Sequence, residues 1–228
     1  MKRNMDVPWS YEGENGPEYW HTLCDWYAEG AKFPLQSPIH LQYSEAQKES
    51  GKKLIFHYQE ERFTEKEFKN TIHFVPYDCS SYVSYDGSKY LLNDIHYHMP
   101  SEHWIDGQQE EIEFHLVHAD DQGNSLVVGV LFRINEEGVD FTKEGLWDFS
   151  THLEIFDPTV FLPQARNHFH YIGSLTTPPT IGPINWFVFD EVNVIDRRFI
   201  EEFREEVLEN NNRPLQEKLG RKIFYFEE

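Results

Sequence analysis

From Lys53 onward, apolar and polar positions alternate in short runs with a period of two rather than at helical spacing. KLIFHYQ (53–59) and TIHFVPY (71–77) read as strands. SSYVSYDGSKYLLNDIHYH (80–98) reads as two strands joined at an Asp86-Gly87 hairpin turn, since both residue types tolerate the left-handed backbone that a two-residue turn needs. EEIEFHLVHADDQGNSLVVGVLFRI (110–134) reads as a second hairpin, turning in the polar Asp120–Asn124 segment. Residues 8–41, rich in Pro, Gly and aromatics, predict an irregular entry. The one amphipathic helix that the pattern predicts lies late, capped by Asp196, with Phe199, Ile200, Phe203, Val207 and Leu208 on one face. Many short strands and few helices predict a mainly β protein with some helix (α+β).

Length and composition narrow this to one packed unit. No repeat, low-complexity tract or Gly/Ser linker divides the 228 residues, so a single domain is expected over 1–228, with 1–7 a loose N-terminus. The 18 Phe, 12 Tyr and 6 Trp supply ample core material. Forty acidic against twenty basic residues give a net charge of -20, which repels phosphate backbones and anionic lipid, so neither nucleic acid nor membrane is an expected partner. The N-terminus lacks the apolar core of a signal peptide, and no run of eighteen apolar residues occurs. Cys24 and Cys79 are too few for a disulfide scaffold and have no metal-type spacing. A reducing, cytoplasmic setting is the expectation.

Chemistry concentrates between residues 93 and 120, which hold five of the twelve histidines. Side chains two apart on a strand share a face, so Asp94, His96 and His98 point one way. On the later strand Glu113, His115 and Val117 share a face. If these strands are neighbours, His96, His98 and His115 converge. Three neutral imidazoles leave one corner of a tetrahedron open, as a catalytic zinc site requires. Asp94 and Glu113 are then placed to accept the other ring N–H groups and fix ring orientation. His-x-His alone equally suits a solvated sheet face; the downstream Glu-x-His favours metal. His21, His40, His57, His118, His152, His168 and His170 default to structure or surface.

IHYHMPSEH followed by EFHLVH, then YIGSLTTPP and INW, resembles the α-class carbonic anhydrases. WSYEGENGPEYW, QSPIHL and NNNRPLQEKLGRKI extend the likeness nearly end to end. The resemblance implies a large, twisted, mostly antiparallel central sheet with short peripheral helices. It implies a zinc ion (Zn2+) on His96, His98 and His115, with water in the fourth position, hydrating carbon dioxide reversibly to bicarbonate and a proton. Thr176 would accept the hydrogen of the zinc-bound hydroxide and donate its own to Glu102. An acceptor-only carboxylate sets that direction. Thr177 would line the cavity, and Val117, Val127, Leu175, Ile184 and Trp186 would form its apolar wall. His103 and Tyr171 would support the Thr176–Glu102 network. His73 in Asn-x-x-His would shuttle the proton, an imidazole being suited to this near neutral pH. The partner set is then carbon dioxide and bicarbonate, with a homodimer open.

Departures from the family pattern carry expectations of their own. Ile72 and Pro76 replace the usual neighbours of the shuttle. Thr180 and Ala28 stand where secreted members place a disulfide. Asp94 stands where glutamine or glutamate is more usual, and its shorter reach predicts a shifted ring or an intervening water. Two other readings compete with this one. A cupin-like metal oxygenase would use His96-x-His98-x-x-x-Glu102, but lacks the second cupin motif, and Pro100 breaks the strand before Glu102. A catalytically silent carbonic-anhydrase-related binding protein would share the scaffold, yet this chain keeps all three histidines with Thr176 and Glu102.

Overall fold

The computed structural model describes residues 7–48, 52–68, 71–135, 154–197 and 210–228. Strands dominate it, and a 13-stranded sheet runs through the molecule. Its centre is the antiparallel succession Thr71–Pro76, Ser88–His98, Ile112–Ala119 and Ser125–Asn135. The Ser125–Asn135 strand then pairs in parallel with Ile184–Phe189, which pairs antiparallel with His168–Gly173. The sheet is therefore mixed but mostly antiparallel, as expected.

Both predicted hairpins form. Asp86 and Gly87 take φ of 51° and 80°, the left-handed pair that turns Tyr82–Tyr85 into Ser88–His98. In the second turn the Asp120 carboxylate accepts from the backbone N–H groups of Gln122 and Asn124, closing the loop on itself.

Period-two alternation decides which face each residue covers. Ile95, Tyr97, Phe114, Leu116, Val128 and Val130 are fully buried on one side, in the larger of the apolar clusters. Val127, Ile184 and Trp186 are buried in a second cluster, against which Val117 and Leu175 pack. Removing such side chains from water is worth roughly 1.5–3 kcal/mol each, so the sheet register is strongly fixed.

One expectation needs correction, and one strand had no expectation attached to it. The entry segment is not wholly irregular, because Trp20–Leu23 and Asp25–Ala31 are helical. Trp20 and Tyr27 supply the buried face, packing with Trp9. Gly30 permits the approach to the Thr176–Pro179 turn, since a Cβ there would lie 1.6 Å from the Pro179 carbonyl oxygen. The charged segment Glu61–Phe68 is a strand, held by pairing with Thr71–Pro76 on one side and Ile155–Phe156 on the other. Pairing on both sides overrides its weak local signal. The helix expected after Asp196 lies outside the described residues; Asp196 itself ends the Asn193–Asp196 strand. Among the described residues no helix is long and apolar enough to cross a membrane.

Candidate metal centre

Strand register brings the histidines together. His115 stands opposite His96, Glu113 opposite His98, and Val117 opposite Asp94. Each ring then spends one nitrogen on a nearby acceptor. His96 Nδ1 donates to Asp94 Oδ2 at 2.6 Å, His98 Nδ1 to the Asn211 carbonyl at 2.7 Å, and His115 Nε2 to Glu113 Oε1 at 3.0 Å. Carboxylate and carbonyl oxygens only accept here, so the lone pairs are left on His96 Nε2, His98 Nε2 and His115 Nδ1. Asp94 thus reaches its histidine directly, without the intervening water that was one of the two expected alternatives.

One nitrogen from each of the three rings lies within 4.8 Å of the others. His98 Nε2 is buried and has no hydrogen-bond partner. Glu102 Oε2 lies 3.6 Å from it but, as a carboxylate oxygen, has no hydrogen to give, and a buried lone pair with nothing to accept is costly unless an electron-poor group meets it. Burial also disfavours charge on these rings: it holds the His96 pKa down to about 3 and pushes His98 down. For His115 burial acts the same way, but the Glu113 carboxylate outweighs it and the pKa rises. Three converging imidazoles fit a borderline divalent cation such as zinc.

Glu113 is the anchor beneath. Its carboxylate accepts from the backbone N–H groups of Glu102 (2.9 Å) and His103 (2.8 Å), from His103 Nδ1 (2.7 Å) and from His115. Burial alone would raise its pKa, yet His103, His115 and these bonds hold it well below the usual carboxylate range. The network continues from His103 Nε2 to the Tyr171 hydroxyl at 2.7 Å and on to Ser37 Oγ at 2.9 Å.

Other predicted residues also gather here. Trp186 lies with its ring 4.9 Å from those of His103 and His115. Val127 faces Val117 on one side and Trp186 on the other, so the apolar wall is continuous across three strands. Thr177 is partly exposed and begins the turn closed by Thr180 N–H to its carbonyl.

Three expected contacts differ. Glu102 Oε1 accepts from Arg213 N–H at 2.7 Å, but its buried Oε2 accepts no hydrogen bond and lies 3.6 Å from His98 Nε2, so the Thr176 hydrogen bond is not made although Thr176 is buried too. His103 and Tyr171 join Glu113 to Ser37, and Glu113 in turn accepts from the Glu102 backbone N–H, so they reach the expected network at Glu102 and not through a bond to Thr176. His73 does not stand clear. Its Nδ1 lies 2.9 Å from Asp94 Oδ1, its ring centre is 4.8 Å from that of His96, and the side chain is 18% exposed.

Several residues had no sequence signal of their own role. Asn211, besides orienting His98, accepts from Met99 N–H through its Oδ1 at 2.7 Å. Asn211, Arg213 and Ser37 all sit in the quoted NNNRPLQ and QSPIHL segments, which could have flagged them. Gly129 lies opposite His115, and a Cβ there would fall 2.7 Å from Glu113 Oε1.

Residues 15–227 match the family model of eukaryotic-type carbonic anhydrase. The chain belongs to the carbonic anhydrase family. It is 29% identical to a carbonic anhydrase of Klebsiella pneumoniae over 94% of this chain and 89% of that one. It is 31% identical to Dioscorin dioA3 of Dioscorea japonica, over 99% and 88%. The α-carbonic anhydrase of Thermovibrio ammonificans, solved with the inhibitor sulfanilamide, superposes with a TM-score of 0.84 at 32% identity, covering 96% of this chain and 99% of that one. A carbonic anhydrase frame suits the observed donor set, whereas the cupin-like reading fails: Glu102 is no member of the three-histidine cluster.

Gly129→Ala should destabilise the fold by roughly 1–3 kcal/mol through crowding of Glu113, read as a lowered urea midpoint. An unchanged midpoint would show that the carboxylate does not need this space.

Proposed function

We propose that the protein is a zinc-dependent carbonic anhydrase, hydrating carbon dioxide reversibly to bicarbonate and a proton. The carrying observation is the buried Nε2 of His98, which makes no hydrogen bond, converging with ring nitrogens of His96 and His115 beside an apolar wall. Zinc, when bound by these three, supplies the Lewis acidity that makes water a nucleophile near neutral pH.

The remaining work belongs to the chain's own side chains. Asp94, the Asn211 carbonyl and Glu113 keep each imidazole in the tautomer that presents a lone pair inward. Val117, Val127, Leu175, Ile184 and Trp186 offer carbon dioxide an apolar surface and keep competing water away from it. Thr177 borders that space. Glu102 is held from behind by Arg213 N–H, which leaves Oε2 to accept from the Thr176 hydroxyl once that side chain turns towards it. The Thr176 oxygen is then free to receive a hydrogen from the nucleophile and so aim its lone pair at carbon. His73 is the proposed proton relay, with Nδ1 on Asp94. The silent binding protein remains the competing reading, and metal content with hydration activity separates the two.

His98→Ala should lose zinc and hydration activity together, measured by elemental analysis and stopped-flow hydration; full retention of both would remove the ligand assignment. For His73→Ala, hydration should slow in weak buffer and recover on adding imidazole-type buffers. Weakened zinc affinity without such recovery would instead make His73 a support for Asp94.

A further inference from the structure

A second recess lies apart from the metal centre and shares none of its residues. It has a volume of about 220 Å³ and opens beside the Ile55–His57 strand, where the ends of Ile184–Phe189 and Ile223–Phe226 meet the start of His168–Gly173. Part of its wall is apolar: Leu54, Phe56, Phe189 and Phe226 line it, and the His168 ring stacks on Phe226 at 5.1 Å and 15°.

Two cations line the same recess, Arg166 and Lys53. The Arg166 guanidinium rests over the Phe56 ring, 5.7 Å from its centre. Its Nη1 is buried and has no hydrogen-bond partner. The acids nearest in charge, Glu228 and Glu191, act on it only through space, and Glu191 is already engaged by the backbone N–H groups of Gln164 and Ala165. In a chain with twice as many acids as bases, this guanidinium has acids acting on it from a distance and none hydrogen-bonded to it. Arg62 and Arg133 take Asp78 and Glu110 as partners, by contrast. With no hydrogen bond from its side chain to another described residue, the part of the guanidinium that lines the recess has the chemistry of a site for a carboxylate, which it can grip with two parallel hydrogen bonds.

We propose that this recess binds a small monocarboxylate with a flat apolar body, its carboxylate on Arg166 and its body between the phenylalanine rings. The volume is below the roughly 300–1,000 Å³ of drug-sized sites, which restricts the ligand to about one ring. Glu228, also in the lining, disfavours a second negative charge on the ligand. The proposal does not rest on the carbonic anhydrase reading.

Benzoate is the probe, titrated calorimetrically into the protein as purified and again after zinc loading, with any hydration activity followed in parallel. Saturable one-to-one binding that leaves hydration unchanged is expected. Arg166→Gln should weaken it about ten-fold or more, the loss of a charge-assisted hydrogen bond. Glu228→Gln should tighten it, and benzamide, which lacks the charge, should bind about ten-fold more weakly than benzoate. Hydration activity and melting temperature of each variant report that it is folded. Absence of saturable binding would overturn the proposal, as would binding that is indifferent to Arg166→Gln or that tracks inhibition of hydration.

Discussion

The site depends on one constraint: each of three imidazoles must give away one specific N–H. An imidazole that donates through one nitrogen keeps its lone pair on the other, so the acceptor behind the ring decides what the ring offers in front. Asp94 and the Asn211 carbonyl take Nδ1–H from His96 and His98, whereas Glu113 takes Nε2–H from His115. Two rings therefore present Nε2 and one presents Nδ1, and the free nitrogens meet.

The sheet supplies the geometry that this demands. Antiparallel pairing sets His96 beside His115, and the opposite faces of the same strands fill the main core with Tyr97, Phe114 and Leu116. A one-residue slip would send the histidines into that core and the aromatics into the cavity, so the core's apolar burial also protects the site's register. Glu113 would be costly to bury alone. Its four donors, together with a glycine across the strand that leaves room for its oxygen, make the burial tolerable.

Much of this was legible in the chain, for local reasons. Period-two spacing put Asp94, His96 and His98 on one face and Glu113 with His115 on another, and the structure pairs each acid with its histidine. The two hairpins were readable because Asp86-Gly87 and Asp120–Asn124 carry their own turn chemistry. What could not be read is what distant segments contribute. The third acceptor is a backbone carbonyl 113 residues beyond His98, and a carbonyl has no sequence identity. The Asn-x-x-His motif marks His73 as the shuttle candidate, but nothing in it announces the contact of its Nδ1 with Asp94. Glu61–Phe68 is too charged to announce itself as a strand, and the two early helices owe their existence to Trp20 and Tyr27 finding Trp9.

The most direct test is two-bond 1H–15N correlation spectroscopy of the histidine rings in zinc-loaded protein. The account predicts protonated Nδ1 on His96 and His98 and protonated Nε2 on His115, with metal-shifted signals from the opposite nitrogens. One common tautomer across all three rings, or no metal-shifted nitrogen among them, would contradict it.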